Sequence, residues 1–156
     1  MRLRLFGLAL LSITLMGAGR APDVRVVVIV NSANHVGTMR REQVANIFLR
    51  QLSTWEGGAE ILPVDQIERS PARVAFARVV QLQTVKAIKI YWQQRIFSGD
   101  QSSPPERVTD ADVLTYVRSN AAAIGYVLEG TDLGDGVRAL VITNTERDAT
   151  AVSTHS

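Results

Sequence analysis

EILPVDQIERSPARVAF, residues 60–76, passes from one regular structure to another with only a charged segment between. Glu60 to Asp65 is short and apolar and reads as a strand. Ser70 and Pro71 then form a Ser-Pro pair, and Ser at the N-cap with Pro as the first helical residue is a strong helix start. Ala72, Ala75, Phe76, Val79 and Val80 follow on one stripe at helical spacing. The N-terminus of a helix also presents free N–H groups and suits an anion. Ser70, the amide of Ala72 and the guanidinium of Arg73 are therefore candidate oxyanion ligands. The plainer alternative is that Ser70 is a cap and nothing more, worth about 1 kcal/mol.

The same strand-to-helix alternation runs through the rest of the chain. Val24 to Val30, VRVVVIV, is a nearly continuous β-branched run and reads as a strand buried on both faces, the kind found in parallel sheets. MRREQVANIFL, 39–49, places Val44, Ile47 and Phe48 on one helical face. STWEGG, 53–58, is a turn that carries an aromatic. Residues 85–96 read as a helix with Val85, Ile88, Trp92 and Ile96 on one stripe, and FSGDQSSPPERV, 97–108, as a Gly/Ser/Pro loop. Thr109 caps a short helix whose first-turn acids, Asp110 and Asp112, suit the dipole. AIGYVLE, 123–129, and VRALVIT, 137–143, read as strands on either side of the turn GTDLGDG. Strands alternating with helices predict an α/β layered domain with a mostly parallel sheet.

The N-terminus is of another kind. Arg2 and Arg4 precede an apolar run from Leu5 to Met16, and small residues follow at Ala18 to Ala21. This is the pattern of a secretory signal peptide, and the run is short for a bilayer span. The expected organisation is a signal peptide over 1–21, a domain over 22–144 and a flexible polar tail over 145–156. No second apolar stretch is long enough for a membrane span, so the processed chain is expected in the periplasm or secreted. Charge follows from that division. Arg2, Arg4 and Arg20 leave with the signal, so 17 Lys+Arg fall to 14 against 15 Asp+Glu. The basic pI of the whole chain therefore gives no reason to expect nucleic acid, and no Lys/Arg cluster with interleaved aromatics occurs.

Catalytic and cofactor patterns are missing. There is no cysteine, and the two histidines, His35 and His155, have no metal-ligand spacing, so no metal is expected. Asp132 and Asp135 do not have the spacing of an EF-hand. No nucleophile elbow, P-loop or dinucleotide fingerprint occurs. Neither an enzyme nor a cofactor is expected.

The order of the segments carries a resemblance. VVVIVNSANHV, MRREQVANIFLRQLSTWEGG, ILPVDQIERSPARVAF and AAAIGYV, taken together, resemble the periplasmic phosphate-binding proteins of phosphate ABC transporters, and more broadly the type 2 periplasmic solute-binding proteins. The resemblance covers roughly residues 24–142. It implies a three-layer α/β/α single lobe of a type 2 periplasmic binding protein with a mostly parallel mixed sheet, in which the strands at 24–30 and 123–127 are central neighbours. It also implies that Asn31 and Ser32, ending the first strand, face the ligand crevice with Ser70, Ala72 and Arg73, since ligands of open α/β sheets sit beyond strand C-termini.

Two departures from the family pattern matter. No phosphate loop of a first lobe lies between the signal and Val24. The family's Ser-Gly-Thr anion loop becomes Ser70-Pro71-Ala72, which lacks one amide donor and one hydroxyl. The arginine that precedes this loop in the family falls near Asp65 and Gln66 here. The resemblance thus implies weak binding of phosphate or a similar oxyanion on an open shelf. The alternative is a lobe without ligand that binds a protein of the envelope or a transporter, with Trp55, Tyr91 and Trp92 as candidate anchors.

Overall fold

The computed structural model describes residues 23–99 and 102–144. The expected signal peptide and tail lie outside the described residues, as do Asp100 and Gln101 of the 97–108 loop. In chain order the elements are β1 (Val26–Asn31), β2 (Thr38–Arg40), α1 (Arg41–Phe48), β3 (Leu62–Pro63), β4 (Asp65–Gln66), α2 (Pro71–Val79), α3 (Val85–Phe97), β5 (Glu106–Arg107), α4 (Asp110–Ser119), β6 (Ala123–Leu128), β7 (Val137–Ala139) and β8 (Val141–Thr143).

The principal sheet has the order β3-β6-β1-β7, so the two apolar runs of the sequence are its central neighbours. Their side chains alternate between two cores, as the strand period requires. Val28, Val30, Ile124 and Tyr126 point into one core, against Val44, Ile47 and Phe48 of α1 and Phe76 of α2. Ile29, Ala123 and Val127 point into the other, against Val113, Leu114 and Val117 of α4. Helices thus cover both faces, which is the three-layer α/β/α arrangement. α3 lies outside α2, with Ile88 and Trp92 buried against Ala77 and Leu49.

Strand direction corrects one expectation. β1 is antiparallel to both its neighbours, β6 and β7, although its burial on both faces suggested a parallel sheet. Burial on both faces follows from helices above and below, whatever the direction of the neighbours. The parallel ladders are the short ones: β3 with β6, β2 with β8, and β4 with β5. The expected strand at 60–65 is two pieces, β3 and β4, which pair in different sheets. The expected strand at 137–143 likewise breaks at buried Leu140 into β7 and β8. The far end of the expected 97–108 loop contains β5, which pairs with β4.

Two of the helix starts are those the sequence marks. Ser70 Oγ accepts from Arg73 N, and Thr109 forms a capping box with Asp112 over α4; Thr84, which the sequence reading did not single out, caps α3. Two stripe residues are placed otherwise than expected. Val79 and Ile96 are exposed, although both fall on the apolar stripe and Val80, next after Val79, is buried.

Gly125 sets the distance between α4 and the sheet. A Cβ added there would lie 2.8 Å from Val113 Cγ1, 2.9 Å from Val64 Cγ1 and 3.2 Å from Val117 Cγ2. All three are stiff valines, two of them on α4, so the neighbours cannot simply swing away. Gly125→Ala should therefore lower stability by about 1–3 kcal/mol, the usual cost of overpacking a filled core. Urea unfolding should show a lower midpoint with an unchanged slope.

Candidate functional site

The segment that opened the sequence reading folds into a buried polar cluster. β4 ends at Gln66, the chain turns through Ile67 to Arg69, and Ser70 N donates to Ile67 O at 2.9 Å before α2 begins. Asp65, Gln66, Ser70 and Arg73 are all buried, at 5%, 1%, 7% and 4% relative exposure. Buried polar groups need partners, so their bonds define what the site can do.

Arg73 is already in use. Its Nε lies 3.3 Å from Asp65 Oδ1, and its Nη1 donates to Gln81 Oε1 at 2.8 Å. Asp65 Oδ1 also accepts from the Gln66 N–H at 2.8 Å and from the Tyr126 hydroxyl. An internal carboxylate therefore sits against the guanidinium that an external oxyanion would need. Burial pushes the Asp65 carboxyl above its ordinary 3.8, opposed by the Arg73 charge and then by the Tyr126 hydrogen bond. Burial also raises the Tyr126 hydroxyl, with the Asp65 charge as the next cause.

Ser70 is committed as well. Its hydroxyl has one hydrogen, and it goes to Gln66 Oε1 at 2.6 Å, while the Arg73 N–H donates to Ser70 Oγ from 3.4 Å. Pro71 has no N–H. Val74 N bonds the Ser70 carbonyl at 3.1 Å. The Ala72 amide is left as the one first-turn donor with no bond among the described residues, and Ala72 itself is buried. The adjoining cavity, about 190 Å³, is lined by Asp65, Glu68 and Glu106 against Arg73 and Lys89. Lys89 is paired with Glu68 at 2.9 Å. The charge around the site is thus balanced to slightly negative. Burial raises the Glu106 carboxyl, and the nearby Asp65 charge raises it further.

Asn31 and Ser32 do not join this cluster. Asn31 Nδ2 donates to the carbonyls of Val117 and Arg118 at 2.9 and 3.0 Å, so it caps the C-terminal end of α4. Ser32 is exposed, and its N–H bonds Gly136 O at 3.0 Å. The Ser70 cluster meets α4 at its other end. There Asp110 Oδ1 accepts from Gln66 Nε2 at 2.8 Å, and Asp110 Oδ2 accepts from Leu128 N at 3.1 Å. From Asp110 to Val117 a helix rises about 10 Å. The two groups therefore lie at opposite ends of the lobe, because β1 runs antiparallel to β6.

Sequence reasoning missed Asp65, Gln66 and Tyr126, and it read Asp110 as a helix-end acid only. The single available signal was the acid at Asp65, where the resembling family has its arginine nearby. Of the candidate anchors, Trp92 is buried, and Tyr91 is half-buried with its hydroxyl donating to Leu49 O at 2.9 Å. Trp55 borders a cavity of about 860 Å³ at the Asn31 end. Among the described residues no helix is long and apolar enough to cross a membrane.

Comparison with known proteins gives the fold a setting. No protein-family model matches the chain, and no curated protein matches it. Solved structures do. The chain is similar to an ABC-type phosphate transport receptor from Vibrio cholerae, at 20% identity and TM-score 0.60, over 84% of this chain and 52% of that one. It is similar to PstS from Borrelia burgdorferi at 12% identity and TM-score 0.60, over 84% and 52%. It is also similar to a possible phosphate binding protein from Planctomyces limnophilus at 16% identity and TM-score 0.60, over 85% and 49%. The chain spans about half the length of each. Its fold is that of a single lobe of such substrate-binding proteins.

Tyr126→Phe tests the cluster. It keeps the ring, which stacks on Phe76 at 4.0 Å between centroids, and removes the hydroxyl alone. The loss should be about 1–3 kcal/mol, the cost of leaving a buried acceptor short of a donor. The pH dependence follows from Asp65, which titrates above 3.8 when folded. The folded protein holds that proton more tightly than the unfolded chain does. The resulting stabilisation is fully present below 3.8 and is lost as pH rises through the folded value. Removing a donor to the charged form raises the folded value further. The destabilisation should therefore be larger at neutral pH than in acid, as paired urea melts would show.

Proposed function

We propose that this chain is a non-catalytic binding lobe of the cell envelope, exported to the periplasm, in which the ancestral oxyanion face has been closed from within and the working partner is a protein. The observation that carries this reading is the Asp65 carboxylate against Arg73. A buried cation that already has a buried anion gains little by exchanging it for a solvated phosphate, which must first be desolvated. The fold supports the relation to ABC-transporter solute binding, and the relatives in structure are named as receptors and binding proteins. This chain spans about half the length of each of them. A multiply charged oxyanion needs its oxygens satisfied from several sides, and this lobe offers one side.

Weak oxyanion binding is the second reading, and the unbonded Ala72 amide at the start of α2 favours it. On that reading phosphate would bind with a Kd on the order of 0.1–1 mM or weaker, which is roughly 4–5.5 kcal/mol.

Thermal melts in phosphate and in sulfate separate the two. The unaltered protein should show no oxyanion-dependent stabilisation at neutral pH beyond an equal ionic strength of chloride. Asp65→Asn keeps the shape and removes the competing charge, so Arg73 should then accept the oxyanion. In this variant phosphate at ten times its Kd should add about 1.4 kcal/mol of stability. Acidification should bring the unaltered protein towards the same response, because Asp65 neutralises above its ordinary pKa. Micromolar phosphate binding by the unaltered protein at neutral pH would overturn the proposal.

A further inference from the structure

A second cavity is separate from the Ser70 cluster and lies at the opposite end of the lobe. It is a groove of about 860 Å³, within the roughly 300–1,000 Å³ of ligand sites. One wall is the loop from Ala33 to Val36 and the strand β2, through Thr38 and Met39. The other wall is the turn around Trp55, closed by the Thr54–Glu60 bridge. Ala122, just before β6, lies at its base.

Three features describe the occupant. The first is backbone. β2 pairs with β8 on one edge and has no second strand partner among the described residues. The Arg40 N–H is taken by Gln43 Oε1 at 3.0 Å, so the edge on offer is the Thr38 end, and a strand edge beside a groove is the arrangement that accepts an extended peptide. The second is rigidity. Trp55 Nε1 donates to Ala122 O at 3.0 Å, and Trp55 N bonds Ala59 O at 2.9 Å, so the indole is held in place. The opposite loop is held by Arg138, whose Nη2 donates to the carbonyls of Asn34, at 2.6 Å, and Val36. A site ordered beforehand loses less entropy on binding. The third is charge. No lysine or arginine lines the groove among the described residues, while Glu56 lines it and has no ion pair there. Phosphate has the wrong sign for such a place. A cationic side chain has the right one, and the face of Trp55 adds to its attraction.

We propose that the groove between β2 and the Trp55 turn binds an extended segment of a partner protein, with a lysine or arginine of that segment against Glu56 and Trp55. This rests on the reading of the chain as a protein-binding lobe, and it names the surface and the chemistry of the partner.

The test is selection of a random decapeptide library on the immobilised protein, with Glu56→Lys as the counter-selecting variant. Glu56 is exposed, so the variant should fold, and its melting curve checks this. The selected peptides should carry a central basic residue among β-branched ones. Added to isotope-labelled protein, they should shift the Thr38 amide and the Trp55 indole signal. Glu56→Gln should weaken them up to about fivefold, as for one partly exposed charge pair. Absence of enrichment over the counter-selection, enrichment of acidic peptides, or shifts confined to α3 would each overturn the proposal. Phosphate added to the same sample reports separately, through the amides near Ser70. A failed groove and a failed account of the Ser70 face are therefore told apart.

Discussion

A buried ion pair, Asp65 with Arg73, organises this lobe. Its two side chains are 7% and 5% exposed, so both charges have left water and depend on fixed neighbours. Those neighbours come from every layer. Gln66 supplies its backbone N–H from β4, Tyr126 its hydroxyl from β6, and Gln81 its carbonyl oxygen from the end of α2. Gln66 then reaches Asp110 at the start of α4, and Asp110 reaches β6 and Thr131. Apolar packing would tolerate small slides of α2 and α4 on the sheet. A desolvated pair with directional bonds does not, because each lost bond leaves a buried group unpaired.

The aromatic core is built around the same point. Tyr126 stacks on Phe76, with 4.0 Å between centroids and 5° between planes, and Phe48 meets Phe76 edge-on at 4.7 Å. One tyrosine thus joins the hydrophobic layer under α1 and α2 to the polar cluster above it. Its ring contributes buried area, and its hydroxyl orients Asp65. On the other face of β6, Gly125 leaves room for Val113 and Val117, so α4 approaches closely enough for Asp110 to meet Gln66 and Leu128.

What the sequence made legible was what depends on neighbours along the chain. Ser70-Pro71 and Thr109 announced helix starts because capping is a matter of three residues. The apolar runs at β1 and β6 announced central strands because burial on both faces leaves no polar alternation. The order of four motifs indicated the fold. What depends on pairing was not legible. β1 has the same composition whether its neighbours run with it or against it, so its direction, and with it the place of Asn31, could not be read. Val79 and Ile96 keep the helical period and are exposed all the same, because periodicity marks a face and not what packs on it. Asp65 and Arg73 are eight residues apart with a strand end and a turn between them, so no local rule joins them. Their contact decides that the Arg73 guanidinium is already occupied.

The two ends of the lobe share an electrostatic character that the fold alone would not imply. At the Ser70 end, where the resembling family places an arginine before its anion loop, this chain has Asp65 and Gln66. Pro71 removes an amide, Ala72 brings no hydroxyl, and Glu68 and Glu106 stand at the rim of the adjoining cavity. At the other end a groove of about 860 Å³ has Glu56 and His35 and, among the described residues, no lysine or arginine on its walls. Each change is small. On the reading proposed above, these changes leave Arg73 without a free guanidinium for an anion, because Asp65 and Gln81 already hold it. A buried arginine without a partner would be a standing cost to stability, and the Asp65 carboxylate offsets it from within the lobe.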